Sequence, residues 1–226
     1  MSHTDESSVP VAGHAMTAAL GGRKVVAGVF GLIVSLTLLA IVLPTLVLRR
    51  DEKEIELYGT LPPFTLRDHT GAVVSNTDLH GKVVIADFIF TRCQTVCPVL
   101  SMKMQRLQEN TADVGDDVKL ISFSVDPEYD TPEILAKYAA RHHADPDRWR
   151  FVTGDIQTIL QIAGEGFRVA LERVGTTPNG APDIAHDEHF ILLDRSGRVR
   201  GYYDSNDITR IERLLRDARR LVIRTR

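Results

Sequence analysis

The sequence predicts an α/β protein, a three-layer sheet flanked by helices and preceded by one N-terminal transmembrane helix, and three observations carry that prediction. Apolar segments of strand length alternate with segments of helical periodicity through most of the chain. An uncharged apolar run stands near the N-terminus. The two cysteines lie together where a strand gives way to a helix.

A chain of 226 residues is long enough for one domain with a full core and too short for two ordinary domains plus a membrane segment. Hydrophobic residues at 43% and charged residues at 25% are near the globular average, so function has to be read from motifs. A net charge of -3 and a pI near 6.2 argue against a nucleic-acid partner, which usually demands a basic face. Arginines gather between Arg195 and Arg226. Most fall where Ile208, Ile211, Leu214, Leu215, Ala218 and Val222 recur at helical spacing, which predicts the solvated face of a last helix.

Between Lys24 and Arg49 the chain carries 24 uncharged residues, about 36 Å as a helix against a hydrocarbon core of about 30 Å. The run is longer than a signal-peptide apolar region and ends without a clear small-x-small cleavage site, so a retained anchor is the expectation. Residues 1–24 read as a disordered tail, 25–48 as the transmembrane anchor, 49–60 as a charged linker and 61–226 as the folded domain. Arg23 and Lys24 on one side are balanced by Arg49, Arg50 and Lys53 on the other. A short tail before the span makes a signal-anchor with the C-terminal domain outside the cytoplasm the simpler topology.

Within the domain, LPPFTLRDHTGAVVSNTDLHG alternates apolar and polar residues around His69-Thr70-Gly71 and predicts a hairpin. KVVIADFIF is a nearly continuous apolar run and predicts a central strand buried on both faces. TRCQTVCP follows, and Pro98 opens a helix on which Leu100, Met104 and Leu107 recur. VKLISFSVDP is a second buried strand; DTPEILAKYAARHH is a helix capped by Asp130 or Thr131. RWRFVTGD, DIQTILQIAGEGF, HFILLDRSGRVRGYYD and DITRIERLLRDARRL supply a strand, a helix, a hairpin and a closing helix. The segment from Phe167 to Ile184, rich in Gly and Pro towards its end, reads as a loop free to move. A reactive pair directly after the first long strand is the thioredoxin arrangement.

Cys93 and Cys97 are four residues apart, so at a helix start their sulfurs can converge. Backbone N–H groups there, with Arg92 alongside, favour the thiolate, which binds metals and attacks disulfides. The spacing permits a disulfide as well, and the two states exclude each other. The more usual redox motif is Cys-x-x-Cys, so the extra residue tilts the reading towards metal. Two thiolates and one imidazole form a soft set suited to copper, whereas structural zinc normally takes four protein ligands. Of eight histidines, His3 and His14 precede the span, and His69, His80, His142 and His143 fall in loops or helix ends where exposure is expected. His186 and His189 enter the apolar strand FILL, and at a spacing of three they point to opposite sides of an extended chain.

The segments LPPFTLRDHTG, GKVVIADFIFTRCQTVCP, ISFSVDPEYDTPE and AHDEHFILLDRSGRVRGYYD, from about Leu61 to Tyr203, resemble the Sco/SenC family of thioredoxin-fold copper proteins of cytochrome c oxidase assembly. The resemblance places the family's metal ligands on Cys93, Cys97 and, by spacing from Gly197, His186. It implies copper, Cu(I) or Cu(II), as the bound metal. It also implies an inner (cytoplasmic) membrane protein with a periplasmic copper domain. The copper subunit of cytochrome c oxidase is the implied partner. Gln94 and Asp187 depart from the residues common in the family, and neither is a presumed ligand. Asp126 matches a family aspartate and has two readings, a carboxylate that orients an imidazole and a turn former before Pro127.

Two functions follow. One is a metallochaperone that passes copper to the dinuclear copper centre of the oxidase. The other is a thiol-disulfide oxidoreductase acting through Cys93 and Cys97 on cysteines of a partner such as an oxidase subunit. Outside the cytoplasm the cysteines oxidise, so either role calls for a thioredoxin-like reductase as a further partner.

Overall fold

A computed structural model describes residues 30–42, 55–176, 182–185 and 188–223. They fall in two compact units, Met1–Glu54 and Ile55–Arg226.

In the first unit, residues 30–42 form a helix, α1, whose side chains are exposed all round. Phe30, Leu32, Ile33, Leu36, Leu38, Leu39 and Ile41 are among them, so the helix is apolar on every side. The Thr37 hydroxyl donates back to the Ile33 and Val34 carbonyls. Among the described residues no helix is long and apolar enough to cross a membrane. The span expected over 25–48 extends past α1 at both ends, outside the described residues.

In the second unit the strands are β1 (Gly59–Thr60), β2 (Thr65–Asp68), β3 (Val73–Ser75), β4 (Val83–Ile89), β5 (Val118–Ser124), β6 (Trp149–Thr153), β7 (Glu172–Thr176), β8 (Pro182–Ala185), β9 (His189–Leu193) and β10 (Arg198–Asp204). The helices are α2 (Val96–Asn110), α3 (Pro132–Arg141), α4 (Ile156–Gln161) and α5 (Ile208–Ile223). Eight strands make one sheet in the order β1-β10-β9-β4-β5-β6-β2-β3, and β7 pairs with β8 in a separate ribbon. β4, β5 and β6 are parallel, and β9 runs antiparallel beside β4.

The predicted central strand is β4, buried at every position from Val83 to Ile89. Such burial requires cover on both faces. On one face Tyr138 of α3 packs edge-on against Phe151, 5.6 Å between centroids, and α2 reaches Tyr138 through a 3.0 Å hydrogen bond between the Ser101 and Tyr138 hydroxyls. On the other face Phe88 and Phe123 meet Phe167, which ends the π-helical turn Ile162–Gly166 that continues α4, and Phe123 also meets Phe64. Helices, sheet and helix give the three layers.

The predicted hairpin is β2 and β3, whose turn is closed by Gly71 at φ +86°, a conformation glycine adopts without strain. Asp68 organises that turn, accepting from the Thr70 and Ala72 amides at 2.9 and 3.0 Å. His69 differs from its expectation of exposure. Its Nδ1 accepts from the Phe151 amide at 3.2 Å, and its ring lies edge-on to Phe151, so it is a core residue. Burial, foremost, pushes its pKa down, which keeps the acceptor nitrogen unprotonated. The segment expected as a loop from Phe167 to Ile184 contains the β7–β8 ribbon, with Glu172 opposite Ala185. Alternation through that stretch is hidden by its Gly and Pro content, and β-pairing was missed for that reason.

The arginines of α5 coat a solvated helix face as expected, and carboxylates engage them: Arg219 with Asp113 at 3.1 Å, Arg213 with Asp217 at 3.4 Å and Arg216 with Glu212 at 3.8 Å.

Phe123 touches aromatic rings from the loop before β2, from β4 and from the end of the π turn, so its removal opens a cavity that three elements border. Phe123→Ala is expected to lower the free energy of unfolding by about 3–5 kcal/mol. Trp149, the single tryptophan and fully buried, reports the transition by fluorescence in urea titrations of both proteins.

Candidate metal centre

Because β4 and β5 are parallel and in register from Val83↔Val118 to Ile89↔Ser124, they end side by side. The loops that leave them emerge at the same edge of the sheet, the place where open α/β sheets put their chemistry. The first loop runs from Phe90 to Thr95 and carries Cys93; the second runs from Val125 to Thr131.

Two carboxylates of the second loop hold two consecutive residues of the first. Asp130 is fully buried and accepts from the Thr91 amide at 3.1 Å, from the Thr91 hydroxyl and from the Ser124 hydroxyl at 2.6 Å. Asp126 takes both Nε and a terminal nitrogen of Arg92, at 2.8 and 2.7 Å. The guanidinium in turn lies 4.5 Å from the Tyr129 ring centre. Within the second loop, the Tyr129 and Asp130 amides donate to the Asp126 carbonyl at 3.0 and 2.9 Å, so both carboxylates stand on one rigid turn.

The cap of α3 belongs to Thr131 alone, whose hydroxyl accepts from the Ile134 amide, with Pro132 at the first helical position. Asp130, the other residue read as a cap, therefore has a different task. A sequence signal existed: two capping residues in a row leave one to spare. Asp126 orients Arg92, the residue next to Cys93; the imidazole it was expected to orient lies outside the described residues.

α2 begins at Val96, two residues before the Pro98 read as its opening, because proline is tolerated throughout the first turn. Thr95 stands at the N-cap without a side-chain hydrogen bond to the helix. The Cys93 sulfur takes that role and accepts from the Cys97 amide at 3.4 Å. A sulfur at the positive end of a helix is a place where negative charge is favoured. Both cysteines carry free thiols, Cys93 half-buried and Cys97 buried. The hydrogen bond that Cys97 shares with Cys93 comes first among the causes that push the Cys97 thiol far up from its ordinary range. Burial comes second, and negative charge at Cys93 and Asp87 acts in the same direction. Cys97 therefore keeps its proton, while the Cys93 sulfur faces the helix N-terminus.

Among the described residues no group of three His, Cys, Asp or Glu side chains is placed to hold a metal. The third predicted donor, His186, lies outside them. The described chain resumes at Glu188. Three pairs, from Val84↔Leu193 to Ala86↔Ile191, set β9 against β4, so β9 starts at the edge where the Cys93 loop leaves. Glu188, two residues after His186, accepts from the Asn206 side-chain Nδ2 at 2.6 Å; Lys103 of α2 donates to the Asn206 side-chain oxygen at 2.7 Å and to the Ser205 hydroxyl at 3.3 Å. The chain just beyond His186 is thus tied to the helix that carries Cys97. His189 opens β9 and is half-buried. Of the other histidines described, His80 and His143 are exposed and His142 is half-buried.

A thioredoxin-like fold with a dithiol at the start of the helix after its central strand defines a class of proteins that bind soft metals or exchange disulfides. The SCO1/SenC family model matches residues 52–222, and the chain belongs to that family. The SCO1 protein homolog of Bacillus subtilis is 36% identical over 158 residues, covering 70% of this chain and 80% of that one. A SCO1/SenC family lipoprotein from Bacillus anthracis superposes with a TM-score of 0.65 at 34% identity, covering 72% of this chain and 95% of that one. ScoI of Bradyrhizobium japonicum, solved with copper bound, superposes with a TM-score of 0.62 at 28% identity, covering 72% and 99% of the two chains. BsSco, at 34% identity and a TM-score of 0.65 over 75% of this chain and 96% of its own, is described as having a disulfide switch and as a member of the Sco family of cytochrome c oxidase assembly proteins.

Asp130 sets two expectations. Asp130→Ala orphans the Thr91 amide and is expected to lower stability by about 1–3 kcal/mol in urea titrations. Burial, its largest influence, lifts the Asp130 carboxyl above its ordinary 3.8, against the opposing bonds from Ser124 and Thr91. The folded state then holds a proton that the unfolded chain releases first, so this contribution to stability is present below pH 3.8 and is lost as pH rises through the folded value. Asp130→Asn should remove that component of the pH dependence, read from unfolding curves at successive pH values.

Proposed function

We propose that this chain is a membrane-anchored copper metallochaperone that holds copper through Cys93, Cys97 and His186. It delivers the metal to the dinuclear copper centre of cytochrome c oxidase. The observation that carries the reading is the pair of sulfurs joined by the Cys97 amide and by their shared proton at the mouth of the sheet, in a chain of the SCO1/SenC family. Copper bound to the related ScoI of Bradyrhizobium japonicum supports the choice of metal.

Copper is the cargo here, and a soft cation suits two thiolates and one imidazole. The protein's part is to present the sulfurs and to manage one proton. The Cys93 sulfur, already at the helix terminus, is the first donor; Cys97 gives up its proton to become the second, and that loss is driven by the incoming cation. The Arg92–Asp126 pair fixes the residue before Cys93, so the donor need not be ordered at the moment of capture. The imidazole of His186 arrives from the segment that leads into β9.

The apolar helix α1, lying within the 25–48 run, supports anchoring in a membrane, and we place the copper domain on the extracytoplasmic side of the inner membrane. The copper subunit of the oxidase is the recipient. A thioredoxin-like reductase of the same compartment keeps the dithiol open.

Titration of the reduced full chain in detergent should show about one copper bound, with affinity rising as pH rises because uptake releases the Cys97 proton. His186→Ala should weaken binding by at least about tenfold, and Cys93→Ser with Cys97→Ser should abolish it. Copper uptake that survives loss of both cysteines would overturn the assignment.

The second reading is a thiol-disulfide oxidoreductase, and the closeness of the two sulfurs favours it, since the same pair can form a disulfide. Under it, reduction of a disulfide peptide proceeds in the presence of a copper chelator and is indifferent to His186→Ala. No turnover under those conditions would exclude that role.

A further inference from the structure

Beside the cysteine loop the surface opens into a cleft of 910 Å³. Arg92 and Gln94, the residues flanking Cys93, line one side, and Tyr129, Ile134, Lys137 and Arg141 line the rest. Three of these side chains are cations and none is an acid, in a chain whose net charge is -3.

Two of these cations, Lys137 and Arg141, differ from the arginines of α5. The arginines of α5 have carboxylates beside them, among them Asp113, Asp217 and Glu212. Arg195 likewise meets Asp117 at 2.9 Å. Lys137 and Arg141, one helical turn apart on α3, form no ion pair with a described residue, and the Arg141 guanidinium lies over the face of Tyr138, 5.1 Å from its centre. Glu133, the acid one turn before Lys137, is engaged first with the Thr131 cap and only last with the Lys137 charge. Tyr129 is 44% exposed with Arg92 stacked on it, and Ile134 adds aliphatic surface.

We infer that this cleft is the docking groove for an acidic segment of the protein that exchanges copper with the site. The inference rests on the chaperone reading, since a cargo metal must pass to another macromolecule. Charge complementarity selects the sign: Lys137 and Arg141, which form no ion pair with a described residue, attract and align negative side chains beside the Arg92–Asp126 pair. The aromatic and aliphatic lining selects a polypeptide over a bare anion, because tyrosine and arginine together are the usual surface of a protein contact. Position supplies the purpose. A segment seated between α3 and Arg92 brings its own metal ligands up to Cys93, and the same three cations exclude a basic partner.

The probe is a fluorescein-labelled peptide of glutamate and aspartate interspersed with leucine, and binding to the full chain in detergent is followed by anisotropy at low and at physiological salt. The wild-type chain should bind it and should not bind a lysine-for-acid counterpart. Lys137→Glu with Arg141→Glu should weaken binding by at least about tenfold. Arg210→Glu with Arg216→Glu, the same change of net charge on exposed positions of α5, should alter it by less than about twofold. Equal losses in the two double variants, or no binding by the wild type, overturn the groove. So does attachment of phosphatidylglycerol vesicles through Lys137 and Arg141 in place of the peptide. Copper titration of the Lys137→Glu, Arg141→Glu chain keeps the two readings apart: unchanged uptake with lost peptide binding supports the groove, and absent copper uptake in the wild type defeats the chaperone reading alone.

Discussion

Two carboxylates on one turn, Asp126 and Asp130, hold Arg92 and Thr91, and through them the residue that follows, Cys93. The rest of the site depends on this clamp. A cysteine in a loop ahead of a helix has no regular hydrogen bonds to fix it, yet the Cys93 sulfur has to meet the Cys97 amide. Parallel pairing of β4 with β5 puts the two loops at one edge, and the buried aspartate turns that adjacency into a fixed distance. Its hydrogen bonds offset the desolvation of a carboxylate, which is the larger influence on its own proton.

The clamp also explains how charge is distributed around the sulfurs. Arg92 stands next to Cys93, but its guanidinium is spent on Asp126 and the face of Tyr129. What stabilises negative charge on Cys93 at close range is then the helix terminus, while Cys97, sunk beneath it and sharing its proton, stays neutral until a cation replaces that proton. A site of this kind is poised between two outcomes, metal capture and disulfide formation, and the supply of reductant outside the protein decides which one prevails. Among the relatives, ScoI of Bradyrhizobium japonicum is solved with copper and BsSco is described by its disulfide switch.

Local patterns made most of the fold legible. The apolar run at β4, the Gly71 turn, the Pro132 helix start and the arginine-faced last helix are each set by their own residues. What stayed hidden depended on partners far along the chain. His69 is buried because Phe151, 82 residues away, supplies an amide to its ring. Asp130 looks like a cap until Thr91, 39 residues earlier, is seen to need it. The β7–β8 ribbon was obscured because its pairing partner lies across a Gly and Pro stretch. Of the candidate site, the cysteines were readable from spacing, whereas the groove formed by Lys137 and Arg141 was not, since a helix face shows its partners only once its neighbours are known.

X-ray absorption at the copper edge, recorded on the copper-loaded full chain, tests the central claim that the clamped dithiol and one imidazole form a single centre. The account predicts two sulfur scatterers and one imidazole in the inner shell, with the imidazole features absent from His186→Ala. A shell of nitrogen and oxygen alone, or one unchanged by that substitution, would contradict it.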